Sequence, residues 1–119
     1  MLAIYHNPRC SKSRASLKIL EDSGLSFEVK SYLTDGLSES EVESIIAKLG
    51  VNLISIFRTK EVEFKENGLS KSSSKEDLLT ILLKVPKLLE RPIIISETEA
   101  VIGRPVENTI DFVKKTQLK

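Results

Sequence analysis

The single cysteine, Cys10, lies in a polar and basic segment near the start of the chain. Within four residues it is surrounded by His6, Arg9, Lys12 and Arg14. An apolar run precedes this segment and apolar residues at helical spacing follow it, so Cys10 is predicted to stand between a strand and a helix. Because a helix N-terminus and nearby cations lower the pKa of a thiol, the pattern predicts a thiolate nucleophile. The alternative, a buried structural cysteine, fits a basic loop less well.

Ser13 stands where a C-x-x-C redox motif would have its second cysteine. Because the chain contains no second thiol, an oxidised Cys10 has to be resolved by the thiol of another molecule. This points to a one-cysteine mechanism that uses glutathione or a redox protein. Ser13 also fits a simple helix-start residue, and the two interpretations are compatible.

The only histidine, His6, precedes Cys10 by four residues. Across a turn, its imidazole can polarise the thiolate, although a lone histidine fits a structural role equally well. A zinc site needs several histidine or cysteine ligands, and the chain has one of each. We therefore predict no metal site.

Three arginines stand at the predicted ends of elements: Arg58, Arg91 and Arg104. A guanidinium group is a planar fork of donors that recognises oxyanions, so the three suggest an oxyanion-binding role. Each of them, taken singly, also fits a solvated charge or the partner of a glutamate, and spacing alone does not bring them together. Pro92 biases the preceding Arg91 toward extended backbone at the start of a strand.

Helical spacing predicts four main helices, at about residues 10–24, 38–50, 74–86 and 105–113. The first is expected to bury a stripe of apolar residues: Ala15, Leu17, Ile19 and Leu20. A capping box of Ser38 and Glu41 begins the second, and Pro105 suits the first turn of the last. Residues 34–37 are predicted to form a turn, residues 52–57 a short helical turn, and residues 59–67 irregular structure.

Short apolar runs bounded by turn residues predict strands at residues 2–5, 27–30, 93–95 and 100–102. The first two are joined through a helix, which implies a parallel pair, and the last two form a hairpin. This order predicts an α/β fold of the thioredoxin-like (glutaredoxin-like) class, with a mixed four-stranded sheet. The helical insert spans about residues 37–90 of a single domain, 1–119. The pattern leaves the strand order open.

The composition is that of a globular chain, with 119 residues, 40% hydrophobic and 29% charged. No apolar run approaches the roughly 18 residues of a membrane span, so no membrane partner is expected. A net charge of +1 gives no electrostatic reason to expect nucleic acid as a partner. One cysteine and the lack of a recognisable secretory signal favour a cytoplasmic location.

Four motifs resemble, in the same order, those of the glutaredoxin-linked arsenate reductase (ArsC) family, and the chain is similar to its short members. The motifs are Tyr5-His6-Asn7-Pro8-Arg9-Cys10-Ser11-Lys12-Ser13-Arg14, Phe57-Arg58, Glu90-Arg91-Pro92-Ile93-Ile94 and Gly103-Arg104-Pro105. The resemblance extends from residue 2 to about residue 113. Taken together the four motifs are specific, whereas the cysteine loop alone also fits related regulators.

The resemblance implies an arsenate reductase in which Cys10 attacks arsenate and His6 tunes its thiolate. It implies that Arg58, Arg91 and Arg104 hold the oxyanion and the arsenite adduct. It gives supporting places to Ser13, Arg14 and Pro92, the last as the cis-proline that faces the active cysteine in thioredoxin-like folds. No cofactor is expected to stay bound. Glutathione attacks the Cys10–arsenic adduct as an external thiol, and glutaredoxin then reduces the mixed disulfide.

Two other functions use the same architecture. Regulators of the Spx type bind RNA polymerase and switch by cysteine oxidation, but they usually carry C-x-x-C, which Ser13 interrupts. A general thiol oxidoreductase that acts on glutathione mixed disulfides is the third interpretation.

Overall fold

The computed structural model describes residues 1–118. Its strands are β1 Leu2–Tyr5, β2 Phe27–Lys30, β3 Ile93–Ile95 and β4 Ala100–Ile102. Its helices are α1 Ser11–Asp22, α2 Tyr32–Asp35, α3 Glu39–Leu49, α4 Val62–Glu66, α5 Lys75–Lys84 and α6 Glu107–Gln117. Short 3-10 turns lie at Leu53–Ile56 and Pro86–Leu88. None of these helices is long and apolar enough to cross a membrane.

The chain divides into two compact units. The first combines residues 1–32 with residues 91–118, and the second is Leu33–Glu90. All four strands belong to the first unit, and the predicted insert, residues 37–90, falls within the second. The expectation of a single domain over residues 1–119 stays a prediction.

The sheet has the strand order β2-β1-β3-β4. Strands β1 and β2 are parallel, with Ile4 opposite Val29, while β3 pairs antiparallel with both β1 and β4. The predicted mixed sheet, parallel pair and hairpin are therefore confirmed. The strand order places the hairpin directly beside the strand that leads to Cys10.

One face of the sheet carries the core of the first unit. Leu2, Ile4 and Ile94 project from this face and are buried against three residues of the two long helices: Leu20 of α1, and Phe112 and Val113 of α6. Since burying an apolar side chain of this size contributes about 2 kcal/mol, the cluster holds both helices against the sheet. The start of α1 is thereby held at the carboxyl end of β1.

The buried face of α1 differs from the predicted stripe. Leu20 is fully buried, but Ala15 is exposed, and the other buried positions are Ser13 and Ser16. Both serine hydroxyls are hydrogen-bonded to buried partners, and Ser16 Oγ lies 2.7 Å from Thr109 Oγ1. The spacing of apolar residues did not predict this face, because a hydroxyl that is hydrogen-bonded can be buried at little cost in free energy.

The second unit contains the helix that the capping box predicted. Ser38 Oγ accepts from the backbone N–H of Glu41, and the Glu41 carboxylate accepts from the N–H of Ser38. Gly50 ends this helix, α3, in the left-handed conformation at φ +69°. Ser74 likewise caps α5 by accepting from the N–H of Asp77, so both predicted helix starts are confirmed.

Two short helices lie where none was predicted. Residues 34–37 were expected as a turn, yet α2 ends at Asp35, and α4 lies within the segment expected to be irregular. Phe64 explains α4, because its ring is buried edge-to-face against Phe57 with centroids 6.0 Å apart. A single aromatic anchor within a charged segment is too sparse for a periodicity signal.

The sequence predicted Pro105 in the first turn of the last helix, but Pro105 lies before that helix. Helix α6 begins at Glu107 with Val106 as its N-cap, so Pro105 precedes it. The Asn108 side chain donates to the carbonyls of Ile102 and Arg104, at 3.2 and 3.0 Å. These bonds shape residues 102–105 into a turn that ends before the helix starts.

Candidate active site

Cys10 is the N-cap residue of α1, directly after the loop that leaves β1. Its backbone is extended, at φ −95° and ψ 120°, and its carbonyl accepts from the N–H of Arg14. The residue is 8% exposed. Because the first N–H groups of a helix have no partner within it, the sulfur lies where donors for an anion are concentrated.

Two arginines from the ends of the hairpin hydrogen-bond this sulfur. Arg104 Nη2 lies 3.4 Å from Cys10 Sγ, and the Arg91 side chain also bonds it. Arg91 comes two residues before β3 and Arg104 two residues after β4, so the antiparallel pairing brings them side by side. Arg104 Nε donates to the Arg91 carbonyl at 2.7 Å, which links the two arginines directly.

The environment of Cys10 lowers the pKa of its thiol to about 7. Burial acts in the opposite direction and would raise this pKa. Bonds from the backbone N–H of Ser13, from the side chains of Arg91 and Arg104, and from the N–H of Lys12 outweigh burial. A substantial fraction of Cys10 is therefore a thiolate at neutral pH.

His6 interacts with Ser13 rather than supplying a positive charge. Its Nδ1 lies 2.6 Å from Ser13 Oγ, and the residue is buried. Burial and the charge of Arg14 lower the pKa of His6, while Glu21 raises it less, so the neutral imidazole predominates at neutral pH. His6 thus reaches Cys10 through Ser13, whose backbone N–H bonds the sulfur.

Asn7 organises the loop between β1 and α1, although the sequence did not single it out as a site residue. Its carbonyl accepts from the N–H of Cys10 at 3.0 Å, and its Oδ1 accepts from the N–H of Arg9. Its own N–H donates to Ser13 Oγ at 3.0 Å. An asparagine that bonds the backbone two residues ahead forms an Asx turn, and Asn before Pro was the signal available in the sequence.

The other two supporting residues lie beside this loop and hairpin. Arg14 is exposed, and its Nη1 donates to the carbonyl of Pro8 at 2.9 Å. Pro92 is buried, follows a cis peptide bond and accepts from the N–H of Gly103 at 2.9 Å. Arg14 therefore braces the loop, while Pro92 joins the two ends of the hairpin.

Arg58 lies in the second unit and is bound to carboxylates. Its Nε and Nη2 donate to Glu61 Oε1 at 3.1 and 2.9 Å, and its Nη1 lies 3.5 Å from Glu90 Oε1. These contacts match the alternative that the sequence left open, in which Arg58 is the partner of glutamates. Its role in binding an oxyanion stays a prediction.

The side chains that surround Cys10 are guanidinium donors rather than a cluster of acidic or imidazole groups. Within residues 1–118, no group of three or more His, Cys, Asp and Glu side chains is placed to hold a metal ion. The Cys10 sulfur lies beside the guanidinium groups of Arg91 and Arg104. Preorganised donors of this kind stabilise an oxyanion and the charge that develops when a thiolate attacks it.

Comparisons with known proteins agree with this geometry. A model of the ArsC family matches residues 5–112. The arsenate reductase of Neisseria meningitidis serogroup A is 43% identical over 109 residues, or 90% of this chain and 93% of that protein. The arsenate reductase of Haemophilus influenzae is 38% identical over 92% of this chain and 97% of its own.

Among solved structures, the arsenate reductase from Vibrio cholerae matches with a TM-score of 0.86 at 38% identity. The match covers 92% of this chain and 95% of that one. Together with the mixed four-stranded sheet, this likeness confirms the predicted α/β fold of the thioredoxin-like class.

Proposed function

The chain belongs to the ArsC family, and we propose that it is an arsenate reductase that uses Cys10 as its nucleophile and glutathione with glutaredoxin as its electron source. The observation that carries the proposal is the Arg104 guanidinium, 3.4 Å from Cys10 Sγ at the start of α1. The names of the relatives support arsenate as the oxyanion.

The first step joins the Cys10 sulfur to arsenic. The thiolate attacks arsenate, a sulfur–arsenic bond forms, and an arsenic–oxygen bond breaks as its oxygen leaves as water after taking up protons. Nucleophile and substrate are both anions, so their repulsion opposes the approach. Arg91 and Arg104 offset this repulsion and continue to do so as charge shifts in the transition state.

The second step reduces arsenic. A glutathione thiolate attacks the Cys10 sulfur, a disulfide forms, and the electron pair of the sulfur–arsenic bond stays on arsenic, which changes from As(V) to As(III). Arsenite leaves, and a glutaredoxin thiol then reduces the mixed disulfide and returns the Cys10 thiolate. An external thiol is required because the chain has one cysteine.

The remaining residues have supporting roles in this proposal. Ser13 holds the Cys10 thiolate through its N–H and connects it to His6, which fixes the loop geometry. Arg14 and Pro92 keep the loop and hairpin in place. Arg58 is assigned to oxyanion binding on the family resemblance.

The test is arsenate-dependent oxidation of NADPH by the purified protein, coupled through glutathione, glutaredoxin and glutathione reductase. We expect activity for the native chain and none for Cys10→Ser. Arg91→Lys and Arg104→Lys should each lower kcat/KM for arsenate about 100-fold, because a point charge does not replace a fork of donors. The matched control is Arg9→Lys, at an exposed position in the same loop, which should stay near native.

Three results would contradict the proposal. Activity in Cys10→Ser would remove the nucleophile from the mechanism. Turnover of a glutathione mixed disulfide without any arsenate dependence would indicate a general thiol oxidoreductase. Stable capture of purified RNA polymerase, with no reductase activity, would indicate a regulator of the Spx type.

A further inference from the structure

We propose that Gly103 is a positioning residue of the active site, because the lack of a side chain there lets the turn at residues 102–105 lie close enough for Arg104 to reach Cys10. The effect on the Cys10 thiol follows from the geometry alone, whereas the effect on turnover rests on the proposed arsenate reductase function. Gly103 belongs to the Gly-Arg-Pro motif seen in the sequence, and nothing in the mechanism above uses it.

A glycine is needed at position 103 because of the close neighbours there, rather than because of its backbone conformation. Four other glycines have a positive φ and open space where a Cβ would stand: Gly24, Gly36, Gly50 and Gly68. Gly103 has no positive φ, yet a Cβ there would lie 2.5 Å from Thr109 Oγ1, 2.7 Å from Ser16 Oγ and 2.8 Å from Pro92 Cγ. These separations are well inside van der Waals contact.

The two hydroxyl neighbours cannot easily yield. Ser16 and Thr109 are fully buried, and their hydroxyls are hydrogen-bonded to each other at 2.7 Å. Both side chains are short and lie on the long helices α1 and α6, so their oxygens have little room to move. A Cβ at position 103 would therefore displace the turn itself.

Arg104 would move with the turn. The N–H of Gly103 donates to the Pro92 carbonyl at 2.9 Å, and Asn108 binds the carbonyl of Arg104. The guanidinium group contacts Cys10 Sγ at 3.4 Å, so a small shift of the turn weakens this contact. Gly103 thus acts on the thiolate through Arg104 without touching the sulfur.

The test measures how the rate of Cys10 alkylation by iodoacetamide depends on pH in the folded 119-residue chain. Gly103→Ala should move the midpoint of this profile upward by about one unit, since it weakens a bond to the charged form. Removing both hydroxyls in the same chain, with Ser16→Ala and Thr109→Ala, should return at least half of that shift. The matched control carries Ser16→Ala and Thr109→Ala with Gly103 intact and should keep the native midpoint.

Each outcome decides the proposal. A native midpoint in Gly103→Ala would overturn it. So would a triple variant (Gly103→Ala, Ser16→Ala and Thr109→Ala) whose midpoint is shifted as far as that of Gly103→Ala, or a control whose midpoint is shifted to the same extent. If Gly103→Ala does not fold, a folded triple variant with a near-native midpoint supports the proposal, and an unfolded triple variant overturns it. Alkylation needs no arsenate, so these results stand apart from the reductase assay, in which Gly103→Ala should lower kcat/KM about tenfold.

Discussion

At the scale of single residues, the lowered pKa of Cys10 comes from hydrogen-bond donors rather than from a neighbouring imidazolium. The donors come from the first turn of α1 and from both ends of the β3–β4 hairpin. His6, the most conspicuous titratable neighbour in the sequence, has a lowered pKa and is bonded to Ser13. Because backbone N–H groups and two guanidinium groups bond the sulfur, the thiolate does not depend on protonation of His6.

The pKa of Cys10 predicts the pH dependence of its reactivity. The alkylation rate should rise about tenfold per unit below pH 7 and level off above pH 8, with a midpoint near 7. The same thiol in urea-unfolded protein should show a midpoint of about 8.5, its ordinary value. A native midpoint equal to the unfolded one would contradict the hydrogen-bond pattern around the sulfur.

At the scale of elements, helix starts are built by short side chains that act locally. At the start of α1, first-turn N–H groups bond the Cys10 sulfur together with the arginines, while α3 has a reciprocal capping box at Ser38 and Glu41. The start of α1 thus binds a sulfur, whereas at the start of α3 the Ser38 and Glu41 side chains accept from each other's backbone N–H. Donors at a helix N-terminus stabilise an anion that lies against them.

The capping box predicts a measurable stability loss. Ser38→Ala removes the oxygen that accepts from the N–H of Glu41 and should lower the free energy of unfolding by about 1 kcal/mol. Urea unfolding followed by circular dichroism measures this loss. The control Ser40→Ala, in the first turn of the same helix and exposed, should change the free energy by less than about 0.5 kcal/mol. Equal losses in the two variants would contradict the capping role.

At the scale of the whole molecule, the sheet positions the chemistry of the first unit. Strand β1 delivers Cys10 at its carboxyl end, and β3 lies beside β1, so the ends of the hairpin reach the same place. Arg91 and Arg104 are 13 residues apart along the chain and become adjacent across the β3–β4 ladder. The core beneath this arrangement therefore holds the site together.

A substitution of the buried Ile94, at the centre of that core, tests whether this face of the sheet carries the main core. Ile94→Ala should lower the free energy of unfolding by about 2–5 kcal/mol, because it leaves a cavity against Leu2, Ile4 and the helices. Chemical unfolding measures the loss. Ile95→Ala, on the neighbouring half-buried position, should cost clearly less. A larger loss for Ile95→Ala would place the main core on the other face of the sheet.

The sequence by itself predicted the strands, the main helices and the fold class, and it singled out Cys10 as the candidate nucleophile. Strand runs, the capping box and the single cysteine after a basic loop are local signals, and local physics decides them. It missed α4 and the buried serines of α1, because Phe64 and Ser16 find their partners only in the folded chain.

Only the tertiary structure decided the strand order and which side chains meet the sulfur. It joined Arg91 and Arg104 at Cys10, bound Arg58 to Glu90, and packed Gly103 against Ser16. These contacts connect residues that lie tens of positions apart or belong to different elements. No periodicity or spacing along the chain encodes them, because they depend on which strand pairs with which and in what register.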